Sequence, residues 1–265
     1  MRRLLTARAP EPDDSAREGF DRLDLEGDPI APTGDELPWL RPFGREVPGL
    51  VLAGPGAGAE PEAVRIPRQA RELAALGRHL DAMLLLRRFL DDAAGDASAR
   101  ALLAALLDEG GESEEALEEL DRAVGDSDDP GPILVQRGAL LARRGRTSEA
   151  ERDLREAIRR RPGYAAAHYH LGVALFRRGR AAEAAASLRQ ALEWEPGDVD
   201  ANYYLAEALQ AHGELQAALT AVERTLALAP GEARGYNLKG RLLDRMGRTD
   251  EALAMHRKAR EASIR

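Results

Sequence analysis

The chain has 265 residues, 44% hydrophobic and only 4% aromatic, with a formal charge of −8; alanine, leucine, glutamate and arginine dominate, which favours helix around a sizeable core. It holds no cysteine, which excludes disulfides, thiolate catalysis, zinc ribbons and iron–sulfur ligation. No stretch approaches the ~18 apolar residues of a membrane span, and the apolar run in "MRRLLTARAPEP" is too short for a secretory leader. A cytoplasmic protein with no membrane partner is expected.

Residues 1–62 form a first region. It carries seven arginines against thirteen acids, and "PEPDDSAREG", "GDPIAPTGDELP" and "AGPGAGAEPE" are rich in proline, glycine and acid. Such a composition buries too little apolar surface to offset chain entropy, so a largely disordered N-terminal segment is expected. One island departs from it: "LPWLRPFGREVPGLVL", Leu37 to Leu52, with Trp39 and Phe43. Two readings stay open for this island, a tether with incidental hydrophobics or an extended strap that docks on the rest of the chain. "GPGAGAE" has the glycines of a phosphate loop but no following Lys-Ser or Lys-Thr.

From residue 63 onward the sequence repeats itself. Glycine recurs every 34 residues at Gly77, Gly111, Gly145, Gly179, Gly213 and Gly247. Alanine follows five positions later each time, at Ala82, Ala116, Ala150, Ala184, Ala218 and Ala252, and proline seventeen later at Pro162, Pro196 and Pro230. Six tandem units are therefore expected, over 63–96, 97–130, 131–164, 165–198, 199–232 and 233–265. Each reads as two helices. In "AAAHYHLGVALFRRG" the apolar Leu171, Ala174 and Leu175 share a face, and Gly179 ends the helix where a left-handed backbone suits glycine. Ser113, Thr147 and Thr249 are expected to cap the second helix of their units. The alanine marks a close helix crossing with no room for a larger side chain.

Chemistry is hard to find in these units. His168 and His170 stand two apart and point to different sides of a helix, so a shared metal is not expected; they read as groove or surface residues. No metalloprotease, nucleophile-elbow or dinucleotide pattern occurs, and no serine has a base within local reach. No catalytic residue, metal or cofactor is predicted. The second unit has two arginines against eleven acids, and the third and sixth each have nine basic residues against four acids. Acidic and basic units alternate, so a solvated surface rather than a nucleic-acid site is expected.

The glycine–alanine–proline spacing resembles the tetratricopeptide repeat, whose signature is Trp-x2-Leu-Gly-x2-Tyr, Ala-x3-Phe, Ala and Pro. The fourth unit carries Leu171-Gly172, Leu175, Ala184, Leu188, Ala191 and Pro196; the fifth Leu205-Ala206, Leu209, Ala218, Val222 and Pro230; the third Gly138, Leu141, Ala150, Leu154, Ala157 and Pro162. The first two diverge, with Ala70 and Ala104 in place of the first-helix glycine. The resemblance covers about three quarters of the chain. It implies an all-α fold, an α-solenoid built as a right-handed superhelix of antiparallel helix pairs. It also implies a non-catalytic scaffold that binds an extended peptide or a helix of a partner protein in its concave groove. An accessory or regulatory arm of a larger enzyme, or the detached C-terminal tail of one, is the alternative.

The resemblance also points to the residues facing that groove, at the second, fifth, sixth, ninth, twelfth and thirteenth positions of each unit. In the fourth unit these include Tyr169, His170, Val173, Phe176 and Arg177; in the fifth Asp200, Tyr203, Tyr204, Glu207 and Gln210; in the sixth Arg234, Asn237, Arg241, Asp244 and Arg245. The first three units instead offer Ala101, Ala105, Ala139 and Ala142, which are small and featureless. A binding site for a partly apolar, acidic peptide is expected at units four to six, with the Trp39 strap as an intramolecular occupant. The competing reading is that the tyrosines merely pack between neighbouring helices. The last unit places His256 and Arg260 where the others have Leu or Val and Leu, Val or Ile, so it is expected to cap the array.

Overall fold

The computed structural model describes residues 61–263. The Trp39 island and the rest of the first region lie outside these residues. Twelve helices follow one another: α1 (Glu62–Ala75), α2 (His79–Asp92), α3 (Ala97–Glu109), α4 (Ser113–Asp126), α5 (Gly131–Arg143), α6 (Thr147–Arg160), α7 (Ala165–Arg177), α8 (Ala181–Trp194), α9 (Val199–His212), α10 (Leu215–Leu228), α11 (Ala233–Arg245) and α12 (Thr249–Ala262). No strand occurs among the described residues. Five of the six first helices begin at the residue the 34-residue period names, and α1 begins one residue earlier.

The hairpin turn is the same six times. Each recurrent glycine has φ between 73° and 91°, the left-handed region where an L side chain is strained. Its N–H and that of the next residue return to the helix just ended. In the fourth repeat Gly179 N–H bonds the Phe176 carbonyl at 2.9 Å and Arg180 N–H the Leu175 carbonyl at 3.0 Å. These bonds satisfy carbonyls that a helix end otherwise leaves without partners.

The caps differ from expectation. Ser113, Thr147 and Thr249 are the first helical residues rather than caps, and the cap positions are Glu112, Arg146 and Arg248, none of which makes a side-chain cap bond. An N-cap must leave the helical conformation, and the sharp glycine turn has already placed these hydroxyls one step inside. The first turn is instead organised by ion pairs three residues apart: Arg78–Asp81, Arg146–Glu149, Arg180–Glu183 and Arg248–Glu251, at 2.6–2.7 Å. Their carboxylates lie at the positive end of the helix dipole. Side-chain caps are found on first helices, where Asp96 accepts from Ala99 N–H and Asp198 from Ala201 N–H.

The six crossing alanines have no exposed surface. Opposite Ala150 and Ala184 stand the first-helix glycines Gly138 and Gly172. A Cβ added at Gly172 would lie 2.5 Å from Leu188 Cγ and 3.2 Å from the Ala184 carbonyl oxygen; one at Gly138 would lie 2.8 Å from Leu154 Cγ. The two helices of a hairpin therefore touch backbone to side chain, with no layer of large residues between them.

Each helix packs on the next in the chain, and each first helix also touches the first helix of the next repeat; second helices do not touch one another. A row in mutual contact on one side and splayed on the other must curve, with α1, α3, α5, α7, α9 and α11 inside. The array is an α-solenoid whose concave wall is the first helices. Charge follows the same order, because successive repeats are joined by ion pairs. Arg137 meets Asp121 at 2.6 Å, Arg143 pairs with Asp108 and Arg161 with Asp129 across repeats two and three. Lys239 meets Glu223 at 2.7 Å across repeats five and six. At the C-terminal end the row of fully buried Leu86, Leu120, Leu154, Leu188 and Val222 gives way to His256, which is one-third exposed and lies 3.2 Å from Asp244. Arg260 is exposed, so the last repeat ends the array in a polar face.

Candidate peptide groove

Three consecutive first helices, α7, α9 and α11, carry the candidate residues. Tyr169 and Tyr203 hold the fifth position of repeats four and five, His170 and Tyr204 the sixth, Glu207 and Arg241 the ninth of repeats five and six. Because these helices touch, equivalent residues become neighbours across the concave wall.

The aromatic rings form one cluster centred on Tyr204. Its ring centroid lies 5.6 Å from that of Tyr203, 6.1 Å from Tyr169 and 6.5 Å from Phe176, and Tyr169 lies 4.9 Å from His170. All four contacts are edge-to-face, the arrangement that sets positive ring edges against negative faces. The Arg234 guanidinium sits 4.6 Å from the centre of the Tyr203 ring. The rings are half-buried rather than enclosed. Burial raises the pKa values of all three tyrosines, so their hydroxyls remain protonated donors. Burial, with the charges of Arg143 and Arg177, pushes the His170 imidazole down to about 4 and keeps it neutral at physiological pH.

Around this cluster the charged groups divide in two. Tyr203 donates to Glu207 Oε1 at 2.8 Å, and the same oxygen receives Arg241 at 2.5 Å. Arg234 pairs with Asp200 and, at 3.1 Å, with Glu232. Arg177 and Arg245 instead donate Nη1 to main-chain carbonyls of the preceding first helix, Ala142 and Gln210, each at 3.1 Å. Gln136 makes the same kind of bond to the Ala101 carbonyl at 2.9 Å. These bridges use carbonyls near the helix ends or on the concave wall. The sequence reading missed them because a repeat offset of 35 residues has no local signature.

The structure thus brings together Tyr169, His170, Phe176, Tyr203, Tyr204, Glu207, Arg234 and Arg241, and sets Arg177 and Arg245 at the edge. Asn237 is exposed and makes no hydrogen bond among the described residues, so it adds nothing to this network. His168 is neither a groove nor a surface residue: it is buried, with Nε2 2.8 Å from the Pro162 carbonyl oxygen. Ala101, Ala105, Ala139 and Ala142 are at most 6% exposed, so the small residues of repeats two and three do not form an open lane. Two of the four groove arginines are neutralised within the protein, which narrows the expected preference for acid. Among the described residues no group of three histidine, aspartate or glutamate side chains is placed to hold a metal ion, and no helix is long and apolar enough to cross a membrane.

Family models of the tetratricopeptide repeat match residues 135–199, 175–242 and 233–262, which together run from the third repeat into the last helix. The chain belongs to the tetratricopeptide repeat family. Repeats one and two continue the same helix pairs and the same glycine turn, though Ala70 and Ala104 weaken their signature. Among solved structures this repeat protein is similar to the type IV pilus biogenesis factor PilW, with 19% identity, a TM-score of 0.68, and 74% of this chain and 91% of that one covered. It is similar to PilF of Pseudomonas aeruginosa at 21% identity and a TM-score of 0.66, covering 73% and 88% of the two chains. YrrB, a protein of this family with an unusual peptide-binding site, matches at 22% identity and a TM-score of 0.56, covering 67% and 91% of the two chains. At these identities the likeness is one of fold. No curated protein sequence matches the chain.

Proposed function

We propose that the protein is a non-catalytic scaffold that binds an extended segment of another protein in the concave wall of repeats four to six. The observation carrying this reading is the half-buried cluster of Tyr169, Tyr203, Tyr204 and Phe176, ringed by arginines. Aromatic side chains left partly exposed on a concave wall are a surface that a partner side chain can cover. Tyrosine and arginine are the residues most often found as binding hot spots, with losses of ~2 kcal/mol or more on truncation. The peptide-binding site named for YrrB supports such a role for the fold. Packing between helices accounts for the buried part of each ring, but Leu171, Leu175, Leu205 and Leu209 are the buried core side chains of these helices, and the four rings stay partly exposed beside them.

Affinity purification of the full chain from its host, followed by mass spectrometry, identifies the partner. Tyr203→Ala with Arg241→Ala then weakens that partner's binding at least tenfold with helical content intact. Unchanged affinity in the folded double variant removes the groove from the mechanism. Under this reading the segment Leu37–Leu52, with Trp39, competes for the groove, and a chain starting at residue 61 binds the partner more tightly than the full chain.

A further inference from the structure

We infer that the groove takes a segment carrying two carboxylates six positions apart, one for Arg177 and one for Arg245. This rests on the groove reading above and specifies its ligand. Of the four arginines at inward positions of repeats four to six, Arg234 and Arg241 are already paired with Asp200 and Glu207. Arg177 and Arg245 have no ion-pair partner among the described residues and are exposed. Their bonds to the Ala142 and Gln210 carbonyls fix the guanidinium without cancelling its charge. Each therefore presents an ordered cation with donors to spare, the arrangement that recognises a carboxylate through charge-assisted hydrogen bonds. His170 is neutral near pH 7 and neither adds to nor competes with this charge.

The spacing follows from the fold. Arg177 and Arg245 occupy the thirteenth position of repeats four and six, and repeat five has Ala211 there. First helices in contact lie about 8–10 Å apart, so the two arginines are separated by roughly 16–20 Å. An extended chain advances about 3.3 Å per residue, which makes this five or six residues. Side chains of an extended segment alternate between faces, so two that meet the same wall are an even number apart; six fits. The groove-facing residues between them pass Phe176 and Ala211, which favours apolar side chains at the second and fourth positions after the first acid.

The test is fluorescence anisotropy with a labelled peptide, Asp-Ser-Leu-Ser-Leu-Ser-Asp, flanked by glycines and added to the full chain. Its palindromic sequence presents the same side chains in either chain direction, so binding is detected whichever way the segment runs. Saturable binding is expected, weakened about tenfold by Arg177→Glu or by Arg245→Glu, each checked for folding by circular dichroism. A peptide with lysine for both aspartates should bind the Arg177→Glu, Arg245→Glu double variant in preference to the wild type. Equal binding of a peptide whose aspartates are three apart would overturn the inference, as would absence of charge-swap rescue or no binding of the seven-residue peptide to the wild type. If the heptapeptide fails while the purified partner still depends on Tyr203 and Arg241, the groove reading stands and only the carboxylate spacing falls.

Discussion

Ala184 shows how much one methyl-sized side chain decides. It has no exposed surface, its carbonyl faces Gly172 across the hairpin, and a Cβ added at Gly172 would lie only 3.2 Å from that carbonyl oxygen. Ala184→Leu should cost about 1–3 kcal/mol by overpacking and lower the melting temperature; a melting curve coincident with wild type would contradict the close crossing. His170 works through protonation. Its folded pKa, about 4, is below the ordinary imidazole value of 6.5, because burial and the neighbouring arginines disfavour its charged form. The unfolded chain therefore binds a proton first as pH falls, and stability contributed by the neutral ring is lost between pH 6.5 and 4. His170→Phe should lose less stability than wild type across that window in urea titrations. Identical slopes for the two proteins would place the histidine in an ordinary solvated setting.

At the scale of elements, the joint between α6 and α7 is unlike the others. The residue after the crossing alanine is Met83, Leu117, Ala185 or Leu219 in repeats one, two, four and five, and all are buried. In repeat three it is Glu151, equally buried, paired with Arg155, Arg178 and, at 2.7 Å, Arg180. Burial alone would raise its carboxyl pKa, but the hydrogen bond from Arg180 and the three arginine charges outweigh it and hold the group below the usual carboxylate range. Buried ion clusters recover little more than their desolvation cost, whereas a charge left alone is expensive. Glu151→Met should thus leave thermal stability unchanged or raise it, while Arg155→Ala, Arg178→Ala and Arg180→Ala together, which leave the buried carboxylate alone, should lower it by about 3 kcal/mol. The opposite order in thermal denaturation would show the cluster to be the stronger fastening. In repeat six the equivalent Leu253 is 56% exposed, because no seventh repeat follows among the described residues.

For the whole molecule, long-range order is a chain of nearest-neighbour joints. Every contact between helices lies within one repeat or between adjacent repeats. With every joint between neighbours, the array is expected to fold without residues 1–60. Their deletion should leave far-ultraviolet helical content per described residue and cooperative urea unfolding intact. Loss of the transition would show that the Trp39 island contributes to folding. At this scale the acidic repeats two and five meet the basic repeats three and six through ion pairs across their joints.

The period by itself determined the helix pairs, their boundaries, the left-handed glycines and the crossing alanines. These are local or hairpin-range features, and a 34-residue register states them six times over. It also placed the aromatic residues on one wall, through the family resemblance. The cap residues were misread because Ser113, Thr147 and Thr249 have the right chemistry one position too late, and backbone conformation rather than residue type decides which residue is the cap. Only the tertiary structure decided which groove arginines keep their charge. Arg241 meets Glu207 34 residues earlier and Arg177 reaches a carbonyl 35 residues earlier, so neutralisation depends on how two repeats dock. Pairing across a docked joint is a property of distance in space, and residue spacing along the chain does not carry it.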